Sequence, residues 1–173
     1  VFRGTPMIVQ SMVIFYGSAQ AFNISLDRTW AAIFIVSINT GAYMSEIVRG
    51  GILAVDPGQF EAATALGMTH GQTMRKVVLP QVVRNILPAT GNEFVINIKD
   101  TSVLNVISVV ELYFTGNTVA TQNYQYFPTF TIIAVIYFVL TFTITRILRY
   151  IERRLDSDTY TTGANQMQVN EVK

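Results

Sequence analysis

Three stretches of this chain, 4–26, 29–45 and 112–145, contain no charged residue. A helix that crosses a bilayer needs roughly 20 predominantly apolar residues, so runs of this kind predict membrane-spanning helices. The soluble alternative, helices buried inside a globule, requires polar residues recurring at 3.6-residue spacing. The run Ile132-Ile133-Ala134-Val135-Ile136-Tyr137-Phe138-Val139-Leu140 has none. Only 13% of the residues are charged and 50% are hydrophobic, against about 25% charged in an ordinary soluble domain.

The predicted spans are 7–22, 30–48 and 127–147, with a fourth at 84–110 that carries Glu93, Lys99 and Asp100. The distribution of Lys and Arg requires the fourth. Basic residues mark cytoplasmic loops. They occur at Arg3, at Arg49, Arg75, Lys76 and Arg84, and at Arg146, Arg149, Arg153 and Arg154. The segment 23–29 has only Arg28, beside Asp27, and 113–126 has no basic residue. Four spans make the two groups alternate, with the start, 49–84 and the tail inside. Three would put Arg84 and the basic tail on opposite sides. The fold class is therefore an all-α integral membrane protein, its membrane domain covering 1–155 and a polar, disordered cytoplasmic tail covering 156–173. The basic end of the last helix favours the anionic inner leaflet. Trp30, Tyr124, Tyr126 and Phe127 suit an outer interfacial belt.

Several function classes are excluded at this level. There is no cysteine, hence no disulfide or thiolate metal site. A single histidine, His70, cannot form a metal cluster. A net charge of +1 leaves no nucleic-acid footprint. No Gly-x-x-x-x-Gly-Lys-Ser/Thr loop is present to cradle a nucleotide. The first residue is Val1, and the opening Val1-Phe2-Arg3-Gly4-Thr5-Pro6 has no signal-peptide form. The chain reads as the interior of a longer one.

Between the second and fourth spans lies a polar segment, 56–80. Asp56-Pro57-Gly58-Gln59 has the form of a helix start, with a capping side chain, a proline at the first helical position and capping-box spacing. Gly67 suits a left-handed helix end. Thr69 and Gln72 repeat the capping-box spacing, and Pro80 is expected to end the second helix near Val78 or Leu79. Phe60, Ala63 and Leu66 would share one face of the first helix, and Met74, Val77 and Val78 one face of the second. Neither is long enough to be stable alone in water, so both must dock, either on the protein's own helices or on another protein.

Glu61-Ala62-Ala63, then Gly67, then Leu79-Pro80, closely resembles the EAA loop of bacterial ABC-type importer permeases. Arg3-Gly4-Thr5-Pro6, Thr40-Gly41-Ala42-Tyr43, Glu46-Ile47-Val48-Arg49-Gly50-Gly51, Gly91-Asn92-Glu93-Phe94 and Lys99-Asp100-Thr101-Ser102 extend the resemblance to the polar amino-acid branch, from Arg3 to about Arg154. The resemblance implies a permease subunit in the bacterial cytoplasmic membrane. It implies that Glu61, Ala62, Ala63, Gly67, Leu79 and Pro80 couple it to a cytoplasmic ATP-binding subunit. It also implies a second permease copy or homologue, an external substrate-binding protein, no cofactor, no enzymatic activity in this chain, and one further span ahead of the Arg-Gly-Thr-Pro block.

The charges of the fourth span form a second candidate site. Ionisable residues at membrane depth face a bundle interior or a watery cavity. Glu93 and Asp100 are two helical turns apart and share a face. Lys99 lies one residue off that line and could pair with a carboxylate on another helix. Pro88 and Gly91 could loosen the helix beside them. A translocation path or gate involving Glu93, Lys99, Asp100, Thr101 and Ser102 and a structural ion-pair network both satisfy the same desolvation constraint. Asn39 and Thr40 could hydrogen-bond between helices, or simply accompany close packing at Gly41 and Ala42. Glu46 and Arg49 are spaced as a local helix pair. Two other classes stay open: a membrane scaffold or sensor that recruits a cytoplasmic protein through 56–80, and an ion-coupled transporter, for which no inverted repeat is visible.

Overall fold

The computed structural model describes residues 4–171, with side chains through Arg154. Every regular element among them is helical: α1 Met7–Phe22, α2 Arg28–Leu53, α3 Pro57–Ala65, α4 His70–Thr73, a π-helical turn Met74–Val78, α5 Leu79–Asp100, a 3-10 helix Thr101–Ile107, α6 Leu112–Asn123 and α7 Tyr126–Glu171. The tail 156–173, expected to be disordered, lies outside the residues described with side chains.

Among the described residues, two helices are long and apolar enough to cross a membrane, α2 and the 126–154 part of α7. The segments His70–Ile107 and Leu112–Asn123 meet that test only together, bent by 54° at their break. α1 is apolar but 16 residues long.

The contacts divide the chain into two compact units. One comprises Val1–Ser45 and Asn92–Thr143. Its core is Ala31, Ala32 and Ile35 of α2 against Leu104 and Ile107 of the 3-10 helix, flanked by Ile14 and Phe15 of α1. The fourth predicted span, 84–110, departs from a plain helix here. After Asp100 the helix tightens to 3-10 geometry, and Ser108 takes a left-handed conformation with φ 59°. The expected loop 113–126 is mostly the helix α6. Its N-terminus is capped by Glu111, whose carboxylate accepts from the N–H groups of Tyr113 and Phe114 at 2.9 and 2.6 Å. Gly116 and Ala120 are buried one turn apart, and a Cβ at Gly116 would overlap Ile133 of α7. Small residues at that spacing let helices approach closely.

The other unit comprises Glu46–Gly91 and the chain from Ile144 onward. Val55, Val78 and Val82 form its core, with Ile52, Phe60, Met74 and Ile86 packed around them. A Cβ at Gly51 would overlap Ile86. Glu46 and Arg49 form the local pair, at 3.0 Å.

Four local expectations need correction in this unit. Pro80 does not end a helix. Leu79 is fully helical at φ −58°, ψ −39° and donates its N–H to Met74 O, five residues back. A proline lacks the N–H and crowds the carbonyl four residues earlier. The wider π turn ending two residues before it changes that spacing, so the helix continues to Asp100. Gln59 does not close a capping box: its Oε1 accepts from Gln81 Nε2 at 3.3 Å. Leu66 does not join the buried face of α3, because the chain turns there and leaves it 82% exposed. Pro88 and Gly91 do not interrupt α5. Gly91 is buried close to Leu148 and Glu152 of α7.

Candidate functional site

Within the first unit, the start of α1, the middle of α2 and the end of α5 enclose a pocket of about 250 Å³. Met7 and the preceding Thr5 and Pro6 line it at the start of α1, Asn39 and Tyr43 from α2, and Glu93, Ile96 and Asp100 from α5. The two-turn spacing of Glu93 and Asp100 places both carboxylates on the pocket side of α5. Among the described residues, no Lys or Arg lines the pocket. The ionisable groups among the lining residues are the two carboxyl groups and the Tyr43 phenol.

A ring of amide and hydroxyl groups supports the pocket. Gln10, only 7% exposed, donates through Nε2 to Thr5 O and Oγ1 at 2.9 and 3.0 Å. It accepts from Asn39 Nδ2 at 3.3 Å. Thr40 Oγ1 donates to Asn97 Oδ1 at 2.9 Å. Asn97 Nδ2 in turn donates to Glu93 O at 3.0 Å and lies 3.5 Å from Glu93 Oε1. Asn39 and Thr40 thus form hydrogen bonds between helices. Close packing at Gly41 is not seen among the described residues, since the space beside it is open.

The structure separates the five acidic-site candidates. Glu93 and Asp100 meet in the pocket. Lys99 is exposed and pairs with no carboxylate among the described residues. Thr101 spends its hydroxyl on Ile98 O at 2.9 Å, and Ser102 is half-buried away from the lining. Thr5, Asn39 and Tyr43 as pocket walls, and Asn97 behind Glu93, are not predicted by the sequence reading. A signal for three of the four was present: Thr5 and Tyr43 belong to the Arg-Gly-Thr-Pro and Thr-Gly-Ala-Tyr blocks, and Asn39 directly precedes the second of these.

The second candidate site lies in the other unit. Asp56 caps α3 by accepting from Gly58 N–H at 2.7 Å. At the other end, Gly67 takes φ +73°. Its N–H bonds to Thr64 O at 2.9 Å and that of Met68 to Ala63 O at 3.1 Å, the paired bonds of a Schellman helix end. Thr69 and Gln72 close a reciprocal capping box at the start of α4. Two short elements are thus fixed by side-chain caps and one left-handed glycine. Glu61, Ala62, Gly67, Leu79 and Pro80 are exposed, whereas Ala63 is 3% exposed. Ala63 therefore helps seat α3 on its own unit, and Glu61 and Ala62 face outward.

The family model described as "Binding-protein-dependent transport system inner membrane component" matches residues 1–157. The chain belongs to this family. This inner membrane component is 39% identical over 158 residues to the arginine transport system permease protein ArtQ of Bacillus subtilis (strain 168), covering 91% of the chain and 72% of the relative. It is 41% identical over 156 residues to the glutamine transport system permease protein GlnP of Escherichia coli (strain K12), covering 90% and 71%. Among solved structures, a crystal structure of an amino acid ABC transporter with histidines matches at TM-score 0.83 and 44% identity, covering 88% of this chain and 71% of that one. The MetNI methionine ABC transporter, at 20% identity and TM-score 0.76 over 89% of this chain and 70% of that one, shares the fold. The inner membrane component is thus an all-helical transport protein with the fold of ABC permeases, and not an enzyme.

Proposed function

We propose that this inner membrane component is the permease subunit of an ATP-driven importer, and that the pocket between α1, α2 and α5 receives a polar amino acid during passage. One observation carries the reading: Glu93 and Asp100 line a pocket of about 250 Å³ that, among the described residues, no Lys or Arg lines. Every amino acid brings an α-ammonium group, which one carboxylate can meet. A second carboxylate favours a substrate with a cationic side chain. Charged groups at membrane depth are costly enough to mark substrate pathways, and facing a polar pocket relieves that cost.

In this reading four segments span the membrane: α1, α2, α5 with its 3-10 extension, and α7. The C-terminus is cytoplasmic, as the Arg and Lys distribution requires. The segment from α3 to Pro80 is the coupling element for a cytoplasmic ATP-binding subunit, with Glu61, Ala62 and Gly67 outward and Ala63 seating α3. A second permease copy or homologue completes the pathway, and an external binding protein delivers substrate on the side of 23–29 and 113–126. The scaffold alternative needs no acidic pocket.

The deciding experiment reconstitutes the assembled importer in vesicles and measures ATP-dependent uptake of labelled arginine. Glu93→Gln should raise the KM for arginine by at least about tenfold, the loss of one charged hydrogen-bonding interaction. An unchanged KM in Glu93→Gln and in Asp100→Asn would remove the pocket from the pathway.

A further inference from the structure

Asn97 does not line the pocket, yet it is the residue on which Glu93 rests. Its amide is used at both ends. Oδ1 accepts from Thr40 Oγ1 of α2 at 2.9 Å. Nδ2 donates to Glu93 O one turn earlier at 3.0 Å, with Glu93 Oε1 at 3.5 Å. The Thr40 hydroxyl therefore sets which way the amide faces, and the amide presents its N–H groups to the glutamate. Glu93 and Asn97 are half-buried, in surroundings where a hydrogen bond to a carboxylate is stronger than in water.

We propose that Asn97, held by Thr40, is a positioning residue for the pocket: it turns the Glu93 carboxylate toward the bound ligand and ties that orientation to α2. The proposal rests on the reading of the pocket as a substrate site and adds a residue to it. Asn97 touches no substrate. It acts through Glu93, so its removal lowers affinity while leaving the transport machinery able to turn over. Thr40 acts one step further back. Loss of its hydroxyl frees the Asn97 amide to rotate, and the effect on Glu93 is the same in kind and smaller.

The experiment uses the assembled importer in vesicles, with labelled arginine as probe, and separates KM from maximal uptake. Asn97→Leu keeps the branched shape and loses both hydrogen-bonding ends. It should raise KM about tenfold with maximal uptake within about twofold of the parent. Thr40→Val should raise KM about threefold, and Thr40→Ser, which keeps the hydroxyl, should restore the parent value. If Glu93→Gln raises KM while Asn97→Leu and Thr40→Val leave it unchanged, Asn97 has no positioning role and the pocket reading stands. If Glu93→Gln leaves KM unchanged, or the parent importer takes up no arginine, the pocket reading fails and the proposal with it. A fall in maximal uptake alone, or loss of assembled carrier in both the Asn97 and Thr40 variants, assigns the pair to packing and overturns the proposal.

Discussion

The hydroxyl of Tyr137 on α7 donates to Glu111 Oε2 at 3.0 Å, and the same carboxylate caps α6 through Tyr113 and Phe114. One side chain therefore fixes both the start of α6 and its attachment to α7. Removing the carboxylate strands two N–H groups and a phenol, whereas removing the phenol leaves the cap intact. Glu111→Ala should cost about 2–3 kcal/mol and Tyr137→Phe about 1 kcal/mol. Thermal melting of the purified importer in detergent measures both. Equal losses would mean that the cap contributes nothing beyond the Tyr137 contact.

Gly67 tests the proposed coupling element by strain rather than by clash, because the space around it is open while its φ is +73°. An L-residue in this conformation costs roughly 1–2 kcal/mol, and Asn tolerates it better than a β-branched residue. Gly67→Asn should keep most ATP-dependent uptake. Gly67→Val should lose most of it, with the membrane domain still assembled. Gly67→Asp, which adds a charge at the proposed docking surface, should uncouple transport more than Asn does. Uptake measured alongside ATP hydrolysis distinguishes these. Full uptake by both the Val and Asp variants would detach Gly67 from coupling.

Two glycines in the first unit look alike in sequence and differ in surroundings. A Cβ at Gly116 would meet the Ile133 side chain, whereas one at Gly41 would meet nothing within 4 Å. Overpacking of this kind costs roughly 1–3 kcal/mol. Gly116→Ala should lower the melting temperature of the importer and Gly41→Ala should leave it unchanged. A penalty at Gly41 instead would show that another chain occupies the space beside it.

The long apolar runs carried the helical fold, and the two-turn spacing of Glu93 and Asp100 carried the core of the pocket. Both follow from local periodicity, which one sequence displays directly. What periodicity could not supply was partnership across helices. Asn97 reads as one more polar residue in a weak span until α2 places Thr40 against it. The uncharged 113–126 segment lacks a strong helical stripe, and α6 exists there because Glu111 caps it and α7 accepts Gly116 and Ala120. Likewise Lys99, adjacent to Asp100 in sequence, points elsewhere because neighbouring helix positions are about 100° apart.

Pro80 offers the sharpest test of local structure in the proposed coupling element. The π turn Met74–Val78 ends two residues before it, and Leu79 N–H reaches Met74 O instead of Arg75 O. Such single π turns inside α-helices are frequent at functional sites. Replacing Pro80 with Ala restores an N–H and removes the ring that opposes α geometry, a gain of up to about 3 kcal/mol in helix preference. The turn is then free to relax, which would rotate α4 relative to α5. Pro80→Ala should therefore assemble as well as the parent or better, yet transport less arginine for each ATP hydrolysed. The ratio of uptake to hydrolysis in vesicles is the measurement. A ratio equal to the parent's would mean that the π turn accommodates the proline and has no part in setting the angle of the coupling element.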